Sequence, residues 1–365
     1  MSELDEARKK INAIDEQMAK LFEERMKYSS KIAEYKLQCG LPIYDKTRED
    51  EVIERNSSLI SDSVIKEFYV PFLKNLMDES KNYQRRLMKG MRVAYSGVPG
   101  AFGYSASIRM FNDAELVSYS SFEAAYRAVE KGDCDIAVLP IENSFAGDVG
   151  LVMDLVFQGS LYINQIIDFD IVQNLLGIDG ASIDDIKTVI SHPQALGQCD
   201  NYINEHHFEV KEFSNTAVAA KEVSRLQDKS VATIASAEAA KLYNLKIMDK
   251  HINTSSNNTT RFAAFSRIIN TPNSKIKEGE HFILVFTVIN EAGSLAKTLN
   301  IIGSHGFNMR NLRSRPMKDL MWNYYFFVEI EGNVNTPDGA DMLRELRTVC
   351  DRLKLVGTYY SFKEK

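Results

Sequence analysis

The sequence lacks a long apolar run. No stretch of about 18 apolar residues occurs in the chain, so no membrane span is expected. Met1 to Lys10 are charged throughout and hold no apolar signal core. Positive charge is not in excess: 44 Lys and Arg against 50 Asp and Glu leave a net charge of −6. That balance gives no support to a nucleic-acid binder. Cys39, Cys134, Cys199 and Cys350 are scattered without metal-ligand spacing. No metal is expected, and a cytoplasmic chain with reduced thiols is the simplest reading. Repeats and low-complexity tracts are missing too. Gly97, Gly100 and Gly103 follow an early β-type run, but as G-x-x-G-x-x-G rather than G-x-G-x-x-G. They are a weak signal for a nucleotide cofactor.

At 365 residues the chain has room for two or three domains. Its 44% apolar and 26% charged residues are ordinary for a globular protein. Two polar punctuation points, Met88-Lys89-Gly90-Met91 and Thr271-Pro272-Asn273-Ser274, suggest modules at 1–88, 91–270 and 280–365.

The first module reads as helices. Ser2 with Asp5 can cap a start. Leu4, Ala7, Ile11, Ile14, Met18, Leu21, Tyr28, Ile32 and Tyr35 then follow a 4,3 spacing as far as Cys39-Gly40. One helix of about 35 residues is expected. Arg25 breaks its apolar seam, and Lys36 lies about 16 Å along the helix and about 20° around it, so both can reach one small anion. Arg8 is about 25 Å from Arg25 and about 100° around; it could reach that anion only from an antiparallel partner chain. A second helix begins near Asp45, with Glu49 one turn on. A third, about Val64 to Leu87, carries Ser80 and Gln84, and Pro71 should kink it. Taken singly, Arg25 reads as a register-fixing residue, and the other pairs read as solvated surface.

Together, Arg8, Arg25, Lys36, Asp45, Glu49, Ser80 and Gln84 resemble the pattern of the all-helical chorismate mutases. The resemblance implies an intertwined homodimer or higher homo-oligomer of three-helix chains, with the first arginine supplied by the partner. It implies a Claisen rearrangement helped by holding the dicarboxylate and placing positive charge on the breaking ether bond. Arg8 and Arg25 would hold carboxylates, and Lys36 and Gln84 would address the ether oxygen. Glu49 and Asp45 would face the ring hydroxyl, with Ser80 supporting substrate.

In the central module, strands near 92–96, 135–139, 188–191 and 231–235 alternate with helices at Phe122 to Glu130, Thr216 to Leu226 and Ala237 to Leu242, an α/β pattern. Three polar islands stand out: Pro140-Ile141-Glu142-Asn143-Ser144, Ser191-His192-Pro193-Gln194 and Asn258-Thr259-Thr260-Arg261-Phe262. Two of them follow apolar β-type runs, where open α/β sheets place ligand loops. With Tyr95 to Ser105 and Asn215 to Lys221, the islands resemble prephenate dehydratase. The resemblance implies two α/β lobes around a cleft, similar to periplasmic binding proteins, and loss of CO2 and a ring hydroxyl in one aromatising step without a cofactor. It marks Thr260 as the catalytic threonine, read as a hydrogen-bond donor to the leaving oxygen. Glu142 is the candidate acid and His192 a further one, unless it is structural. Ser191 and Gln198 would bind substrate oxygens. Arg261 would pair with a carboxylate or pack the wall; Asn143 and Ser144 would position substrate or stabilise a turn. Cys199 has no evident nucleophilic task.

The last module reads as strand His281 to Ile289, helix Ser294 to Ser304, strands Phe307 to Arg315 and Trp322 to Glu329, helix Asp338 to Leu353, and strand Leu355 to Tyr360. That βαββαβ order implies an α+β ferredoxin-like sandwich. It resembles an ACT domain, an amino-acid sensor. Gly293-Ser294-Leu295 stands where that family has Gly-Ala-Leu. Arg313-Ser314-Arg315-Pro316 stands where it has Glu-Ser-Arg-Pro, so Arg313 replaces an acid beside the effector and is expected to weaken L-phenylalanine binding.

The leading reading is a bifunctional enzyme taking chorismate to prephenate to phenylpyruvate under phenylalanine feedback. Two others compete: a chain with one silent site or a preference for arogenate, and a non-catalytic amino-acid-sensing protein.

Overall fold

The computed structural model describes residues 2–255, 257–270, 279–317 and 323–360. Contact density divides the chain into two units, residues 1–92 and 93–365. Residues 280–365 are not set apart as a third. The expected linker at Thr271 to Ser274 and the strand residue Trp322 lie outside the described residues. No helix among those described is long and apolar enough to cross a membrane.

The first unit is three helices. α1 (Glu3–Cys39) opens on a capping box in which Ser2 and Asp5 satisfy each other's backbone donors, and it closes on Gly40 in the left-handed region. α2 (Lys46–Ser57) is capped by Asp45, which accepts from the Arg48 N–H at 3.0 Å. α3 (Ser63–Lys89) continues across Pro71.

The second unit begins with β1 (Arg92–Ser96), α4 (Phe102–Met110), β2 (Glu115–Tyr119), α5 (Phe122–Glu130), β3 (Ile136–Asn143), the short β4 (Gly147–Asp148), α6 (Gly150–Gln158) and β5 (Tyr162–Asp170). A second lobe follows: β6 (Asn174–Gly177), β7 (Thr188–Ser191), α7 (Pro193–Gln198), α8 (Asp200–Glu205), β8 (Glu209–Glu212), α9 (Thr216–Leu226), β9 (Val231–Ala235), α10 (Ala237–Leu242) and β10 (Lys246–Asp249). The chain then returns to the first lobe as β11 (Thr259–Ser266). Two crossings therefore join the lobes, one after β5 and one before β11.

The remainder is β12 (Glu280–Thr287), α11 (Ser294–Ser304), β13 (Asn308–Pro316), β14 (Tyr324–Glu331), α12 (Pro337–Leu346) and β15 (Arg352–Tyr360). Its strand order, β13-β14-β12-β15, is that of a ferredoxin-like sandwich. α12 stops at Leu346, short of the expected Leu353, because Arg352 and Leu353 pair with Thr287 and Phe286 in the sheet.

This sandwich does not stand alone. The sheet runs on as β13-β14-β12-β15-β5-β11-β3-β1-β2, joined where Gly357 of β15 pairs with Ile163 of β5. A Cβ at Gly357 would run into the Ile163 carbonyl oxygen, so only glycine fits the join. One face of the sandwich sheet packs on α11 and α12. The other sends Ile283, Val285, Tyr325, Phe327, Val356 and Tyr359 into the first lobe's core. The Tyr325 ring stacks on Phe157 of α6 at 4.4 Å, and Lys354 donates to the last carbonyls of that helix, Val156 O at 3.0 Å among them.

Candidate active sites

In the helical unit, two polar residues of the predicted site, Ser80 and Gln84, are buried. α3 buries Ser80 and Gln84 beside Leu73 and Met77. The Arg25 guanidinium donates to the Ser80 hydroxyl and, at 3.4 Å, to the Leu76 carbonyl. Burial pulls its proton affinity below the ordinary arginine value. One turn on, the Gln84 amide nitrogen donates to Ser29 Oγ at 3.1 Å, while Gln84 Oε1 is buried without a hydrogen-bond partner. The Lys36 ammonium donates to the Ile43 carbonyl at 2.6 Å. Glu49 pairs with Lys81 at 2.6 Å; Lys81 also holds Asp78 at 2.8 Å and sits 5.2 Å above the Tyr44 ring. Lys81 is not among the expected site residues, although Asp78 and Lys81 form an i,i+3 pair visible in the sequence. Asp45 is engaged as the α2 cap. Arg8 stays on the exposed N-terminal part of α1, seventeen residues before Arg25; nothing in one chain brings it to the others.

In the second unit, a cleft of about 920 Å³ is lined by both lobes and by the crossing strands. Thr260, Asn143, His192 and Gln198 line it, as the sequence suggests. Asn143 is its organiser. Its Oδ1 accepts from the backbone N–H groups of Phe145 at 3.0 Å and Ala146 at 2.8 Å. Those donors can only meet an oxygen, so they fix which way the amide faces. Its Nδ2 therefore donates, at 2.8 Å to Thr260 Oγ1 and at 3.0 Å to Asn258 Oδ1. Thr260 Oγ1 receives one hydrogen bond and keeps its own proton to give.

Glu142 and Arg261 are a correction. Neither lines the cleft. The polar islands that read as loops are strand: β3 runs through Asn143 and β11 starts at Thr259. Successive side chains of a strand point to opposite faces. With Asn143 and Thr260 facing the cleft, Glu142 and Arg261 face away. Arg261 reaches the buried Glu329 of β14 at 2.8 Å, Glu142 at 3.4 Å and Asp168 at 3.5 Å. Burial lowers the proton affinity of Arg261, but the Glu329 carboxylate more than offsets this and holds it charged. Burial likewise raises Glu329, and the bonds and charge of Arg261 bring it below the ordinary carboxylate range.

The other expected residues take these places. Ser191 is fully buried and donates to the Ile234 carbonyl at 2.6 Å. Ser144 donates to the Asn257 carbonyl at 2.7 Å and braces the start of β11. Neither lines the cleft. His192 caps α7, its Nδ1 accepting from the Gln194 N–H at 3.2 Å. Cys199 is buried, and burial pushes its thiol up to about 12, which removes it as a nucleophile.

Gln173, outside every motif of the sequence, lines the cleft and donates to Gln198 Oε1 at 3.1 Å while its own Oε1 is buried without a partner. The N-terminal residues of α4 and α9, Phe102 with Gly103 and Asn215 with Thr216, also line the cleft. No lysine or arginine does so among the described residues. Anions reaching this cleft meet helix N–H groups and side-chain amides instead of cations.

Arg313 turns away from the expected effector position. Its side chain, 9% exposed, reaches Glu142 at 2.5 Å and Asp148 at 2.7 Å. Two residues on, Arg315 faces the same side and pairs with Asp154 of α6 at 3.3 Å. Ser314 faces the other way and is exposed. Gly293, at φ 86°, opens α11 ahead of Ser294 and Leu295.

Two family profiles match: "Prephenate dehydratase" over residues 93–269 and "Chorismate mutase type II" over residues 7–85. A bifunctional chorismate mutase/prephenate dehydratase of Aquifex aeolicus is 32% identical, covering 98% of each chain. The solved prephenate dehydratase of Staphylococcus aureus is 28% identical with a TM-score of 0.64, covering 74% of this chain and all of that one. A solved chain described as GqqA, a quorum-quenching acylase, is 29% identical with a TM-score of 0.69, over 74% of this chain and 98% of its own.

Proposed function

This chain belongs to the family of bifunctional chorismate mutase/prephenate dehydratases, and we propose how its residues divide the two reactions. It rearranges chorismate to prephenate and converts prephenate to phenylpyruvate. The helical module carries the first step and the two-lobed cleft the second.

For the mutase, Arg25 and Ser80 hold a substrate carboxylate. Lys36 and Gln84 turn from Ile43 and Ser29 to the ether oxygen as its bond breaks. Glu49, kept in place by Lys81, addresses the ring hydroxyl. Arg8 comes from a second copy of the chain. The exposed apolar stripe of α1 supports this pairing: Ile11, Ile14, Met18, Leu21, Ile32 and Tyr35 are all open to solvent in one chain.

For the dehydratase, the amides of Gln173 and Gln198 and the N–H groups opening α4 and α9 receive the two carboxylates. Thr260 donates a hydrogen bond through its hydroxyl proton to the ring hydroxyl, which departs as hydroxide. The C–O bond breaks as the ring carboxylate leaves as CO2, and the electron pair of that C–C bond completes the aromatic ring, so the dianion gives a monoanion, CO2 and hydroxide. The observation that carries this reading is the Asn143 amide seated on Thr260 Oγ1 inside the cleft. L-phenylalanine is the proposed effector, at the Gly293-Ser294-Leu295 turn of a sandwich that we read as an ACT domain.

One assay tests the division. Pure protein given chorismate should consume it and release phenylpyruvate through transient prephenate. Phenylpyruvate formation insensitive to Thr260→Ala would overturn the cleft assignment.

A further inference from the structure

We propose that Arg313 is a positioning residue for the dehydratase reaction, acting from the sandwich through Glu142 and Asp148 on the Asn143–Thr260 pair. The proposal rests on Thr260 being the donor in the cleft.

β3 and β4 form a two-pair hairpin, with Glu142 opposite Asp148 and Asn143 opposite Gly147. Like charges directly opposite each other on a strand pair are destabilising. Here one guanidinium lies across both, with one nitrogen on each carboxylate. The contacts are close ion pairs without the alignment of hydrogen bonds, so charge carries them rather than bond direction. Among the described residues neither Glu142 nor Asp148 shows another guanidinium this close; the Arg261 contact with Glu142 is 3.4 Å.

The β3 arm is held by β11, but the β4 arm has little else to hold it. β4 is two residues long, and residues 144–148 are exposed. At its tip Asn143 closes the turn through Phe145 and Ala146; the same side chain sets the Thr260 hydroxyl. Asn143 itself stays opposite Thr260 in the β3–β11 ladder, so a movement of Asp148 is a movement of β4 and the turn. Without the cation, two facing carboxylates push β4 from β3, the Phe145 and Ala146 N–H groups leave Asn143 Oδ1, and the amide is no longer held with Nδ2 on Thr260 Oγ1.

The experiment reads kcat and KM on supplied prephenate, with the mutase rate of the same protein as a check on folding. Arg313→Gln should lower kcat about ten- to a hundred-fold while KM moves little, since a shift near 1 Å in a catalytic group costs up to that much. The mutase rate should hold. Arg313→Lys should keep most of kcat, because one ammonium between the carboxylates still offsets both. Arg313→Gln combined with Glu142→Gln should recover activity relative to Arg313→Gln alone, because the repulsion has gone. The proposal falls if Arg313→Gln keeps kcat within two-fold, if Arg313→Lys is as impaired as Arg313→Gln, or if the double variant is no better than the single. The Thr260 assignment is judged separately: it fails only if Thr260→Ala retains phenylpyruvate formation, whatever Arg313 does.

Discussion

Along its 37 residues α1 buries only Ser29 and Ala33, whereas β12 buries all eight of its residues. The helical unit leaves an apolar stripe open, with Met18 45% and Leu21 63% exposed. The α/β unit fills its interior with apolar side chains and lays its functional groups, Thr260 and Gln198 among them, along a cleft between its lobes. Leaving a long apolar stripe exposed is the reverse of what a self-sufficient fold does. The difference suggests that the first site is half of something, completed by another copy, and that the second is complete in one chain.

The sharpest break between the two sites is chemical. Thr260→Ala should cut phenylpyruvate formation by about 10²–10³, the scale of one lost transition-state donor, while prephenate accumulates from chorismate. Thr260→Ser should keep part of the rate. Lys36→Ala should cost the mutase a comparable factor of about 10²–10³ and spare the dehydratase. Simultaneous loss of both activities in a folded protein would contradict the separation.

A smaller effect tests whether only the first site is shared between copies. Arg8→Ala and Lys36→Ala chains, refolded together, should regain mutase activity, since one site of a mixed dimer carries both lesions and the other neither. Dehydratase rates should not change on mixing. Absence of mutase recovery in verified mixed dimers would remove the contrast drawn above.

The smallest expected effect is on stability. Glu329 titrates below its unfolded value, so its pairing with Arg261 contributes fully above about pH 4.3 and is lost as pH falls through the lowered folded value. Glu329→Gln should cost about 3 kcal/mol near neutral pH, as for a buried pair that loses one partner, and the cost should shrink as pH drops below 4. Urea denaturation followed by dehydratase activity, at several pH values, reads both. A cost independent of pH would mean that packing, not charge, holds this contact.

Much of the fold was legible from local signals. The Ser2–Asp5 box and Gly40 bound α1, and α5, α9 and α10 begin and end where their patterns do. The faces of two strands were not legible. Pro140 reads as a loop residue because it withholds a ladder donor. In the structure it falls beyond Val138, the last β3 residue paired with β1, and opposite a bulge between Arg261 and Phe262 of β11. The ladder has already ceased to need its N–H there. Once the islands are strand, alternation moves Glu142 and Arg261 to the far side. The target of Arg313 was equally hidden, since Glu142 and Asp148 lie far from it in sequence and nothing local announces that the sandwich sheet continues the lobe's.

That continuation also sets an order of events during synthesis. β5 pairs with β15 through Gly357, and the first lobe's core includes Val356 and Tyr359. The ribosome makes β11 long before β15; at about 5–20 residues per second the wait is on the order of ten seconds. Through that interval the nascent lobe holds an unpaired strand edge and an open patch around Phe157 and Leu161. A chaperone that recognises apolar segments has its window there, and a chain terminated early would never close it.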